Sequence, residues 1–456
     1  MRRVVKVSRI RIIITIIVVV LITLLTGCTG KEPNEIAYVV ALGIDSTDDD
    51  NYKITIQYAN TTQISGGASE SGGKAGSEIV DNVTIEAPNI YAGVGLANNI
   101  VSKSFSMSHA KLIVFSKEIA EKGVKDMIET LVRSEEIRPD VFIAVANTTA
   151  NDYLTSVNPE MEVNPAQYYQ LIYQKNQLVG IPDGQLREFF TGLYTDNYDS
   201  ILPVAGVIEG SGGNSQNDDK GQSKDGQNEG SEGSSESLDS FESKSSNEKD
   251  ENEKEKDAEK NTSKYEYDIK NYVGGETAIE KKNKAEAIGA AVFEKDKMVG
   301  ELGEVETEIC KMLKGDYTYS YLTYYNNDTP DIPITVKTTQ QKKPKYKIDT
   351  DKKTVDIELY IESDLYSLPA DYNVENKIED FERDVANYTS SACTEFINNF
   401  TKKYNSDILK LNEKIKYKFL TNNQYNWFKK NVGWSEYKFS VCTNFKVRRT
   451  GLIVRE

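Results

Sequence analysis

Between Gly210 and Lys264 the chain consists mostly of Gly, Ser, Asn, Asp, Glu and Lys, with Leu238 and Phe241 its only large apolar residues. Such a stretch cannot bury enough apolar surface to offset the entropy of ordering it, so any packed core must come from the sequence on either side. It holds fifteen acids and eight lysines, a large share of the acidity of a chain whose formal net charge is −16. We read residues 210–264 as a disordered acidic insert. A tolerated loop insertion is preferred to the functional alternative, an extended spacer or interaction tail.

The N terminus has a second constraint. Arg2, Arg3, Lys6, Arg9 and Arg11 precede the apolar run Ile12 to Leu25, which is followed by Gly27 and Cys28. That is the order of a secretory signal peptide. The run is about fourteen residues, short of the roughly twenty that a membrane-crossing helix needs. The exit Leu25-Thr26-Gly27-Cys28 resembles the bacterial lipobox, in which the cysteine is diacylated on sulfur and becomes the first residue after cleavage. Each buried methylene of such a lipid contributes ~0.8 kcal/mol to membrane attachment. Losing residues 1–27 removes five positive charges and leaves the mature chain near −21. A chain this acidic is repelled by nucleic-acid phosphates and by anionic head groups, so no nucleic-acid partner is expected and attachment comes from the lipid.

The remaining cysteines, Cys310, Cys393 and Cys442, are far apart, and His109 is the single histidine. No zinc or iron–sulfur ligand set can be built at these spacings, and small buried thiols are preferred to a disulfide. Gly67 to Lys74 approaches a phosphate-binding loop but misses its spacing by one position and has Ala75 where a hydroxyl belongs, so it reads as a flexible loop. His109 reads as structural. No catalytic residue, cofactor site or metal site is assigned.

The coarse pattern alternates strands and helices. EIAYVVALGID (35–45), YKITIQYA (52–59), IVDNVTIEA (79–87), HAKLIVFS (109–116) and DVFIAVA (140–146) read as strands. Helices are expected from Pro88 to Ser102, from Lys117 to Arg133 on the stripe Ile119, Val124, Met127, Ile128 and Leu131, and from near Asn151, which is placed to cap. After the insert come strands in AIGAAVFEKDKMVGEL, a short helix, the strands KYKID and TVDIELYIES, a long helix from about Val374 to Tyr404 and an alternating terminal strand. The fold class is mixed α/β to α+β, with an antiparallel C-terminal sheet bearing the long helix on one face. We divide the chain into a signal peptide (1–27), an N-terminal α/β domain (28–195), a middle domain interrupted by the insert (196–315) and a C-terminal α+β domain (316–456).

Several of these segments, taken in order, carry a resemblance: the lipobox at Cys28, EIAYVVALGID, HAKLIVFSKEIAEKG with RSEEIRPDVFIAVA, SILPVAGVI, GAAVFEKDKMVGELGEVET and FKVRRTGLI. Together they resemble the C subunit of bacterial spore germinant receptors, the Ger(x)C lipoprotein family. The resemblance implies a lipid-anchored protein of three α/β domains on the outer face of the spore inner membrane. It further implies work beside the A and B membrane subunits, in receptor assembly or signal relay and without enzymatic activity. Gly43, Asp45, Glu136 and Arg138 fall in matching segments, where turn and salt-bridge roles are preferred to contact roles. Two other classes share some of these features. A lipid-anchored solute-binding protein of a transporter predicts two similar lobes around a cleft, and no internal repeat is found. A wall or lipid hydrolase would be left with carboxylate chemistry alone.

Overall fold

The apolar run IAYVVALGI cannot lie on a solvated surface, and in the structure it is β1 (Ile36–Ser46), buried on both faces at the middle of a sheet. The computed structural model describes residues 14–18, 35–49, 51–59, 80–158, 164–174, 180–195, 197–208, 271–277, 283–326, 329–367 and 377–450. A register shift between Val39 and Ala41 turns Val40 and Ala41 toward one core, while Val39, Leu42 and Ile44 face the other.

On one side of β1 lie β2 (Tyr52–Ala59), antiparallel to it, and β3 (Val80–Ala87), antiparallel to β2. On the other side β5 (Leu112–Ser116), β6 (Phe142–Ala146) and β7 (Ile201–Val207) run parallel to it, and β4 (Ser104–Ser106) pairs with its start. β8 (Ala285–Glu294) and β9 (Lys297–Leu302) then add antiparallel, completing a nine-stranded sheet among the described residues. β7 to β9 belong to the stretch 196–315 read as a middle domain, and they continue the N-terminal sheet edge to edge. The acidic insert, itself outside the described residues, therefore interrupts a hairpin whose strands pair directly at Val207 and Ala285.

Helices cover both faces. One core takes α1 (Ile90–Ala97), α2 (Lys117–Lys122), α3 (Lys125–Val132) and α6 (Leu186–Thr195). The other takes α4 (Ala150–Ser156) and α5 (Pro165–Gln174), with Tyr153, Tyr169 and Tyr173 buried.

Three helix expectations need correction. The helix expected from Lys117 to Arg133 is two helices, because Gly123 takes φ +126° and the Val124 amide turns out to donate to the Asp296 carbonyl (3.0 Å). All five stripe residues still reach one core. The helix expected from Pro88 to Ser102 spans only Ile90–Ala97, capped by Asn89, whose side chain accepts from the Ala92 amide. Thr149, not Asn151, caps α4. Asn151 instead donates to the hydroxyls of Thr55 and Thr84, both at 2.9 Å.

The C-terminal body follows α7 (Glu304–Lys314). Its sheet has the order β10 (Tyr319–Asn326), β11 (Thr329–Gln340), β13 (Thr354–Ser367), β12 (Lys345–Asp349), with β14 (Lys438–Arg449) also pairing with β13. These pairings are antiparallel except β13–β14, which is parallel. The reason is topological. The long helix α8 (Ile378–Tyr404) returns the chain to the starting end of β13, as a crossover between parallel strands must. The expected all-antiparallel sheet is thus a mixed one. α8 packs Cys393, Phe396, Ile397 and Phe400 into a core that also contains Ile201, Ala290, Val292 and Leu302 of the first sheet. The two sheets differ in strand number and order, unlike the paired lobes expected of a solute-binding protein.

Candidate functional site

A cleft lies at the joint between the two sheets. It forms because the chain before β7, at Tyr198 and Asp199, meets the chain after α8, where Asn405 takes φ +47° and ends the helix. A cavity of about 420 Å³ is lined by Asp183, Glu188, Tyr198, Lys311, Lys314, Asp316, Tyr317 and Lys410. A second, of about 830 Å³, shares Tyr198 and Asp199 and extends past Asp407 toward α10 (Asn422–Asn431).

Asp199 and Asp407 tie the joint together. The Asp407 amide donates to the Asp199 carboxylate at 2.9 Å, and the Asp199 amide donates to the Asp407 carbonyl at 3.2 Å. The Asp407 carboxylate, almost wholly buried, accepts from the amides of Leu411 (2.7 Å) and Asn412 (2.8 Å) at the start of α9 (Leu411–Ile415). Burial pushes this carboxyl up to about 7. Nearby, Lys410 Nζ lies 3.1 Å from the Glu188 carboxylate and 4.2 Å from the centre of the Tyr198 ring. Lys311 is buried beneath the cavity, donating to the Ile181 carbonyl at 3.0 Å, and burial pushes its ammonium down to about 8.

These groups bind one body to the other. Among the described residues no group of His, Cys, Asp and Glu is placed to hold a metal ion. Cys310, Cys393 and Cys442 are free thiols, the first two buried, and burial pushes them up to about 11 and about 12, away from the nucleophilic thiolate. His109 packs edge-on against Tyr38, with ring centroids 4.8 Å apart, and its Nδ1 bonds the Ser108 hydroxyl.

The residues singled out in the sequence lie elsewhere. Gly43 and Asp45 meet the N terminus of α4. A Cβ on Gly43 would sit 3.1 Å from that of Ala150, and the Asp45 carboxylate accepts from the amides of Ala150 (2.6 Å) and Asn151 (3.0 Å). Asp45 is thus a cap supplied from a strand, holding α4 on the sheet. Replacing Asp45 with alanine strips two buried amides of their partner and is expected to cost about 1–3 kcal/mol, read by denaturant unfolding. Glu136 accepts from the Met107 amide at 2.6 Å, and Arg138 pairs on the surface with Asp140 at 3.2 Å. Glu136 therefore lies near the start of β1, where Tyr38 pairs with Ser106, and Asp45 near its end. The two pairs are not brought together. Cys28 and the Gly67–Lys74 loop lie outside the described residues. No helix among the described residues is long and apolar enough to cross a membrane.

Asp199, Asp407, Lys311 and Lys410 escaped sequence reasoning. The only local signal was Ser406-Asp407 ahead of an apolar pair, a pattern common at helix starts.

Comparison with known proteins places this architecture. Residues 30–207 match the spore germination protein N-terminal domain, and residues 288–451 match the spore germination B3/GerAC-like C-terminal domain. Spore germination protein KC of Bacillus subtilis is 28% identical over 160 residues, 32% of this chain and 39% of that protein. Spore germination protein B3 of the same organism is 25% identical over 141 residues, 29% and 34% of the two chains. The aligned stretches thus span under half the length of these relatives. The crystal structure of the GerBC protein superposes with a TM-score of 0.48 at 15% identity, covering 89% of this chain and 96% of that one. With both domain models matched in order on either side of the insert, over most of its length, the chain belongs to the GerAC-like, or Ger(x)C, family of spore germination proteins.

Proposed function

We propose that this chain is the non-enzymatic, lipid-anchored C subunit of a spore germinant receptor. In this reading Cys28 holds it on the outer face of the spore inner membrane, beside the A and B membrane subunits, where it serves receptor assembly or signal relay. The observation that carries the reading is the Leu25-Thr26-Gly27-Cys28 motif standing directly ahead of two germination-family domains. The joint supports a relay role. A core shared by the two sheets and half-buried hydrogen bonds across the joint supply the contiguous contacts that such a relay needs.

Deleting the gene in a spore-former without a redundant receptor is expected to abolish germinant-triggered loss of refractility; normal germination overturns the proposal. Cys28→Ala is expected to leave the protein uncleaved or released and without radiolabelled palmitate. Label retained on that variant would remove the lipid from the proposal while leaving the receptor role standing.

A further inference from the structure

The surface of α10 and the turn before it sets large exposed apolar side chains among lysines. Leu420 is 93% exposed, Tyr417 81% and Trp427 64%. Trp427 and the partly buried Phe419 border a shallow apolar depression. From Lys410 to Lys430 inclusive there are six lysines and a single acid, Glu413; Lys416 and Lys430 are exposed around the apolar residues, while the Lys418 ammonium donates to the Ile348 carbonyl. Exposed tryptophan and leucine ringed by lysine match the boundary of an anionic bilayer, where the indole sits at head-group depth and ammonium groups reach the phosphates.

The topology places this surface on the side from which the chain enters. β1, β5, β6 and β7 are parallel, and their registers align Ala41 with Leu112, Leu112 with Phe142, and Val145 with Val204. The starts of these strands therefore share one edge of the sheet. Ile36, a few residues after Cys28, lies beyond that edge, and so does Asn197, just ahead of β7. The Asn197 side chain accepts from the Tyr425 hydroxyl at 3.1 Å and from Lys429 at 3.3 Å, fixing α10 to the same edge. About 14 Å separates β1 from β7 across three strand spacings. The residues between Cys28 and Glu35 reach at most roughly 25 Å.

We infer that α10 and the Lys416–Leu420 turn form a second, protein-borne contact with the anionic membrane surface, setting the orientation of the anchored protein. The inference rests on the lipid-anchored reading. Lysines are also exposed at 342–347, so it is the exposed Trp427, Leu420 and Tyr417 among the lysines that mark this face for the lipid boundary.

The test uses the full-length chain purified from membranes and reconstituted into phosphatidylcholine vesicles with or without phosphatidylglycerol, carrying brominated acyl chains. Flotation reads the anchor, and tryptophan quenching reads the patch, because the other tryptophan, Trp434, is only 4% exposed. With phosphatidylglycerol, Trp427 is expected to lose roughly half of its emission. The loss should disappear in Trp427→Phe and in the double variant Lys416→Glu with Lys430→Glu, with flotation unchanged. A chain that floats while Trp427 stays unquenched overturns the inference and leaves the anchor intact. Quenching that emerges only after removal of residues 210–264 also overturns it, assigning the patch to the chain's own acidic segment. A chain that does not float at all overturns the anchored reading, and this inference with it.

Discussion

Gly206→Ala is expected to destabilise the protein by about 3 kcal/mol or more, because among the described glycines it is the one whose added Cβ would meet its neighbours most closely. A Cβ at Gly206 would lie 2.0 Å from the Gly275 nitrogen and 2.1 Å from the Gly274 carbonyl carbon. Both are backbone atoms, with no rotamer to move aside. The segment 271–277 is held where it crosses β7 and β8. The Gly274 amide donates to the Ile288 carbonyl, Asn147 donates to the Gly274 carbonyl at 2.7 Å, and the buried Glu286 carboxylate accepts from the Gly275 amide and the Thr277 hydroxyl. Displacing the segment would leave the buried Glu286 carboxyl without these donors. Guanidinium unfolding reads the loss, with Gly95→Ala as the control. Gly95 lies in α1 with nothing within 4 Å of its Cβ position, so alanine there is expected to stabilise by about 0.5–1 kcal/mol. Equal effects at the two glycines would contradict the close packing at Gly206.

Asp407 supplies the second large effect, seen as a change with pH. Burial raises its carboxyl from the ordinary 3.8 to about 7 in the folded protein. Between those values the folded chain keeps a proton that the unfolded chain has released. The resulting stability is fully present below about pH 4 and is lost as pH rises through 7, at no more than roughly 1.4 kcal/mol per pH unit. Unfolding measured at pH 5 and pH 8 is therefore expected to show a steep fall in stability for the native chain. Asp407→Asn, neutral throughout, should flatten that fall by roughly 2 kcal/mol. Glu308 is also pushed up to about 7 by burial but is present in both proteins, so the difference between them isolates Asp407. An unchanged slope would mean that Asp407 is ionised within the fold at neutral pH.

What the sequence made legible followed from how strongly each segment constrains itself. β1, β5 and β6 are apolar enough to demand burial on both faces, and β14 alternates as a one-sided strand should. The α2–α3 break was not legible, because a glycine in a helical stripe says nothing of the Asp296 carbonyl that draws the next amide out of the helix. The β10–β11 hairpin was passed over, since its tyrosine-rich first strand and proline-bearing second strand weaken the alternation that marks a hairpin. The joint was least legible. Asp199 and Asp407 are 208 residues apart, and only the folded chain brings them within hydrogen-bond reach. Gly43 and Asp45 stand in the apolar strand that the sequence makes plain, whereas their contacts with the start of α4, over 100 residues away, are visible only in the fold.

The pairing of Val207 with Ala285 bears on how this chain can change length. The two strands meet there directly and residues 271–277 are pinned beside them, so the pairing of β7 with β8 is closed without residues 210–264. Adding residues there shifts no register elsewhere in the sheet, and the entropic cost grows only logarithmically with loop length. For anyone wishing to fuse a reporter to this protein without disturbing either end, the stretch 210–264 is the natural place to put it.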